Sequence, residues 1–125
     1  MVLGDAGGQQ DFGAGRIDTH PILADLPAAP FVTFTFDGSP IQGRTGEPIA
    51  ASLLAAGIRV WRRMPRFGDA RGGFCMIGRC TDCMVVVDGA PNLRACVTPV
   101  TVGLEVRTQR SLGDEDGYEP GERRA

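Results

Sequence analysis

Lysine is absent from this 125-residue chain, and all thirteen basic side chains are arginines. Histidine occurs once, at His20. Tryptophan and tyrosine also occur once each, and the formal net charge is -2. A chain without a basic surplus lacks the broad positive face that nucleic-acid binding needs. No apolar run approaches the ~20 residues of a membrane-spanning helix. The first ten residues, Met1 to Gln10, are Gly-rich and polar, without the basic start and apolar run of a secretory signal. These absences lead to the expectation of a cytoplasmic protein. In that compartment thiols stay reduced, so clustered cysteines favour metal or redox chemistry over disulfides. The length suits one domain, small enough for a metal staple to matter.

What is present is organised around one central stretch. Residues 1–30 are rich in Gly, Ala, Pro and Asp and show no helical or strand period. They read as a flexible N-terminal arm, most apolar over Ile17 to Leu26. Phe31 to Phe36 alternates Phe, Thr and Val as a strand does, and Asp37-Gly38 marks a tight turn into a return strand over Pro40 to Arg44. Thr45-Gly46-Glu47-Pro48 has the form of a helix start with Pro in the first turn. Ile49, Ala50, Leu53 and Leu54 are expected on one face of that helix, and Gly57 is a natural left-handed cap. Ile58, Val60 and Trp61 look like the entry to a short strand, and Arg62 to Gly73 like a loop.

Met84 to Val87 reads as an apolar strand, Asp88-Gly89 as a second hairpin turn, and Leu93 to Cys96 as the returning strand. Thr98-Pro99-Val100 suits a short turn or a single helical turn. Leu104 to Arg107 is a last strand, and 111–125 an acidic, Gly-rich C-terminal tail. The domain proper is therefore expected over 31–110. Its order of hairpin, helix, loop, hairpin and strand implies an α+β fold, a mixed sheet crossed by one helix.

The four cysteines are Cys75, Cys80, Cys83 and Cys96, spaced C-x4-C-x2-C-x12-C. Three share one glycine-bearing loop that can curl its thiolates around a small object, and a hairpin returns the fourth. Four soft thiolates suit iron-sulfur clusters or zinc. The leading C-x4-C-x2-C is the spacing of plant-type [2Fe-2S] proteins. Zinc ribbons use two C-x2-C knuckles, which this chain lacks. A Rieske centre needs two histidines, and a pair of [4Fe-4S] clusters needs more cysteines. Nucleophilic chemistry by a cysteine would lack a nearby histidine base. Gly72, Gly73 and Gly78 let the backbone come close to the sulfurs. Arg62, Arg63, Arg66, Arg71 and Arg79 crowd the same region, where they can offset the charge of a thiolate cluster or form a docking rim for an acidic partner.

The segments Phe74-Cys75-Met76-Ile77-Gly78-Arg79-Cys80-Thr81-Asp82-Cys83, Val86-Val87-Asp88-Gly89, and Arg94-Ala95-Cys96-Val97-Thr98-Pro99-Val100 with Gly103 resemble a known family. It comprises the small [2Fe-2S] subunits of bacterial flavin-dependent amine and amino-acid dehydrogenases, such as hydrogen cyanide synthase, opine oxidases and D-hydroxyproline dehydrogenase. The N-terminal module of the sarcosine oxidase large subunit is similar. The resemblance spans roughly Phe31 to Arg107 and leaves the tails unmatched. It implies a β-grasp, ferredoxin-like fold and one [2Fe-2S] cluster, with Cys75, Cys80, Cys83 and Cys96 as ligands. It implies larger partner subunits that carry FAD or FMN and oxidise a C–N bond, and no catalytic residue in this chain. The iron-sulfur subunits of molybdenum enzymes resembling xanthine dehydrogenase share the motif, but they follow it with four more cysteines, and none follows Cys96 here. Two other readings stand beside the subunit: a free-standing [2Fe-2S] shuttle and a structural zinc module.

Overall fold

The computed structural model describes residues 15–17, 19–25, 29–65 and 67–110. The first residues of the arm, Arg66 and the tail from Ser111 lie outside these. Strands run over Phe31–Phe36 (β1), Ser39–Arg44 (β2), Arg62–Arg63 (β3), Ala70–Arg71 (β4), Met84–Val87 (β5), Ala90–Arg94 (β6) and Glu105–Arg110 (β7), with one helix at Ile49–Ala55 (α1). The fold is α+β, a β-grasp, ferredoxin-like mixed sheet with one helix.

Strand β7 is the hub. It pairs in parallel with β1 along Glu105–Val106 and with β3 along Gln109–Arg110. It pairs antiparallel with β5 along Val106–Thr108. The two hairpins, β1–β2 and β5–β6, form locally, because Asp37 (φ 51), Gly38 (φ 86), Asp88 (φ 49) and Gly89 (φ 85) supply the left-handed pairs that tight two-residue turns require. Both turn aspartates then act at long range. Asp37 Oδ1 accepts the Thr108 amide at 2.7 Å, and Asp88 Oδ1 accepts the Glu105 amide at 2.9 Å. Each hairpin tip is thereby fastened to β7.

In β1 the inward positions Phe34 and Phe36 are buried, as strand alternation dictates. They meet Ile41, Ile49, Leu53, Trp61, Val85, Val100 and Val106 in one core. Helix α1 buries Ile49, Ala50, Ser52 and Leu53. Leu54, expected on that face, is exposed, since the helix rotates Ser52 inward to reach Glu47. Pro48 stands at the N-cap rather than in the first turn. The helix ends as its glycine predicts. Gly57 takes φ 82, its amide donates to the Leu54 carbonyl at 3.0 Å, and the Ile58 amide donates to the Leu53 carbonyl at 2.9 Å.

Several strand boundaries depart from the sequence reading, among them the start of β6, at Ala90 rather than Leu93. The stretch 62–73 contains the short β3–β4 hairpin within its loop. Strand β7 continues to Arg110 because β3 pairs with its far end. Strand β6 stops at Arg94, so Cys96 lies beyond the strand, in a turn where the Val97 and Thr98 amides both donate to the Arg94 carbonyl. That turn is stitched to the start of α1, with the Ile49 amide donating to the Thr98 carbonyl and the Ala50 amide to the Ala95 carbonyl, both at 2.9 Å. Among the described residues, no helix is long and apolar enough to cross a membrane.

Candidate metal centre

The loop 72–83 leaves the sheet at β4 and re-enters it at β5, and both ends are tightly set. A Cβ on Gly72 would stand 2.1 Å from the Arg59 carbonyl oxygen, so only glycine lets the loop leave the sheet there, and one on Gly73 would stand 3.3 Å from Trp61 Cη2, tight against the buried indole. Met76 (φ 58) and Gly78 (φ 79) are both left-handed. Left-handed residues interspersed with right-handed ones turn successive amides toward a common concave side, which is how backbone binds an anion.

The anion-binding position is the Cys75 sulfur. It accepts amide hydrogen bonds from Ile77 at 3.4 Å, Arg79 at 3.2 Å and Cys80 at 3.3 Å. The Asp82 amide donates to Cys80 Sγ at 3.4 Å. The Ile77 amide above all, then those of Arg79 and Cys80, outweigh the opposing effect of burial and pull the Cys75 thiol down to about 6. The shift favours the thiolate, the form that binds metal. Burial pushes the Cys83 thiol up, and the neighbouring Cys96 thiol adds to the rise.

All four cysteines are free thiols, with Cys83 and Cys96 buried and Cys75 and Cys80 half-buried. They fall into two contacting pairs, Cys75 with Cys80 and Cys83 with Cys96. Among the described residues, no three His, Cys, Asp or Glu side chains converge on one point. A two-iron cluster needs two thiolates for each iron. The donor set, its paired arrangement and the amide groups on the sulfurs therefore fit a [2Fe-2S] cluster.

The arginines expected around the loop divide. Arg63, Arg71 and Arg79 are exposed, as a docking rim requires. Arg62 is not on the rim. It is buried at 6 % exposure, because β3 pairs Arg62 with the buried Gln109 and leaves Arg63 opposite the exposed Arg110. Its Nη1 donates to the Thr81 carbonyl at 2.8 Å. The Arg71 guanidinium stands 4.0 Å from the Asp82 carboxylate. The reading of the sequence alone missed Arg94 as a working side chain. Its Nε donates to the Cys80 carbonyl at 2.6 Å, and the signal available was its place two residues before Cys96. Phe74 and Ile77 on the loop, and Val97 beside Gly78, exposed at 78, 69 and 56 %, add apolar side chains to the same surface.

The family described as "2Fe-2S iron-sulfur cluster binding domain" matches residues 29–111. Over 85 residues the chain is 36 % identical to hydrogen cyanide synthase subunit HcnA of Pseudomonas aeruginosa, a match covering 68 % of this chain and 81 % of that one. It is 34 % identical over 82 residues to sarcosine oxidase subunit alpha of Rhizobium meliloti, covering 62 % of this chain and 8 % of that one. Among solved structures, L-proline dehydrogenase from P. horikoshii is similar in fold, with a TM-score of 0.59 and 24 % identity over 74 % of this chain and 18 % of that one.

Proposed function

The chain belongs to the 2Fe-2S iron-sulfur cluster binding domain family, and from that membership we propose that it is the electron-transfer subunit of a flavin-dependent dehydrogenase complex acting on the C–N bond of an amine or amino acid. The observation that carries the reading is the pairing of four thiols, three on the loop 72–83 and one in the turn after β6, with backbone amides already aimed at the outer sulfurs. Cys75, Cys80, Cys83 and Cys96 are the ligands, two to each iron. When bound, the cluster supplies one-electron exchange, and so can carry away singly the two electrons that a flavin collects.

The chain's own residues do the rest. The amides of Ile77, Arg79 and Cys80 hold Cys75 as a thiolate. The buried Cys83 and Cys96 shield the inner side from water. Phe74 and Ile77 offer a partner exposed apolar side chains beside the cluster loop's sulfurs. Residues 31–110 form the working domain, with 1–30 as an arm and 111–125 as a tail, and the complex operates in the cytoplasm. Likeness to two proteins that are themselves subunits, hydrogen cyanide synthase HcnA and sarcosine oxidase alpha, favours a fixed place in a complex.

An anaerobic pull-down of tagged protein from its native host tests this, with iron, sulfide and flavin assayed in the eluate. A co-purifying flavoprotein with near-equal flavin and cluster signals is expected. A coloured chain that emerges alone would make it a mobile ferredoxin instead. Zinc without iron or sulfide would overturn the cofactor assignment as well.

A further inference from the structure

The Thr81 carbonyl and the Asp82 amide belong to one planar peptide unit. On one side of that unit, Arg62 Nη1 donates to the oxygen at 2.8 Å. On the other, the N–H donates to Cys80 Sγ at 3.4 Å. We propose that Arg62 is a positioning residue that sets the reduction potential of the cluster through this single peptide. This rests on the assignment of Cys80 as a cluster ligand.

The coupling is electrostatic. A guanidinium on the carbonyl polarises the peptide and makes its N–H a stronger donor, since linked hydrogen bonds reinforce one another. A stronger donor on a cysteine sulfur stabilises added negative charge there, and that raises the potential. Arg62 suits the role because it is buried, so water screens it little. Its Nε, also buried, has no hydrogen-bond partner among the described residues. Arg94 differs. It holds the preceding carbonyl, that of Cys80, whose peptide carries the Thr81 amide rather than a donor to sulfur.

Redox titration of the cluster-loaded protein, followed by its visible absorption and the EPR signal of the reduced form, tests the proposal. Arg62→Met should shift the one-electron equilibrium about tenfold toward the oxidised form, a fall of ~59 mV. Arg62→Lys, which keeps a charged donor, should recover part of the shift. Arg63→Met removes the same charge from the neighbouring exposed position and should leave the potential unchanged. An unchanged potential in Arg62→Met, or an equal fall in both Met variants, overturns the relay. If Arg62→Met, Arg62→Lys and Arg62→Gln all fold by circular dichroism but hold no iron, while Arg63→Met is loaded, Arg62 serves to hold the loop and the tuning role is wrong. A wild-type protein without iron and sulfide would instead defeat the functional reading on which the proposal rests.

Discussion

Arg16 and Glu47, thirty-one residues apart, meet through paired guanidinium–carboxylate hydrogen bonds that pin the middle of the N-terminal arm to the entrance of helix α1. The same carboxylate accepts from the Ser52 hydroxyl and from the Arg44 amide at 3.0 Å. Arg16 also lies over the ring of Phe31, its guanidinium carbon 5.3 Å from the centroid. Gly15 packs so closely on α1 that a Cβ would stand 2.8 Å from Ala55 Cα. The arm, expected to have little structure of its own, is thus tied down at residues 15 and 16.

This contact makes stability depend on pH in a defined direction. Burial raises the Glu47 pKa, but the hydrogen bonds from Arg16, Ser52 and the Arg44 amide, with the Arg16 charge, hold it below the ordinary 4.5. A depressed carboxyl pKa means the unfolded state binds the proton more readily. The contribution is therefore complete above 4.5 and disappears as the pH falls through the lower folded value. Glu47→Gln should cost about 1–3 kcal/mol at neutral pH. Urea midpoints measured between pH 7 and 3 should show a shallower acid loss in the variant than in the wild type.

Gly78 takes φ 79, and a Cβ there would stand 3.2 Å from Val97 Cγ1. Gly78→Ala should destabilise the loop by about 1–2 kcal/mol, the cost of a left-handed alanine. A shorter half-life of the visible cluster band in air, with the far-ultraviolet circular dichroism retained, is the expected result.

Cys80→Ser removes one of the outer pair and the acceptor of the Asp82 amide. Because metal binding is part of the folding free energy, loss of the cluster and of much of the thermal transition should occur together. Iron and sulfide assays alongside a melting curve check this.

Docking should rest on Arg63 and Arg79, not on Arg62. Arg79 contributes its amide to Cys75, so its exposed side chain can be changed without touching that bond. The double variant Arg63→Glu, Arg79→Glu should associate with the flavoprotein about tenfold more slowly at low salt, with a smaller difference at high salt. Unchanged association kinetics, with the cluster intact, would remove the rim.

The amino-acid sequence alone determined what depends on neighbours along the chain. The Asp37-Gly38 and Asp88-Gly89 turns and the cap at Gly57 were legible because each calls for a local left-handed backbone that few residues adopt. The spacing of Cys75, Cys80 and Cys83 was legible because one short loop must gather them. Tertiary structure decided the rest. Arg62 and Arg63 are chemically identical neighbours, and a two-residue strand has no pattern from which to read a face. Only the pairing of Arg62 with Gln109 turned one guanidinium inward to Thr81 and left the other in water. Likewise, Arg16 and Glu47 carry no mark of each other in the sequence. They meet because the sheet and helix bring distant backbone together, and burial then makes each charge dependent on the other.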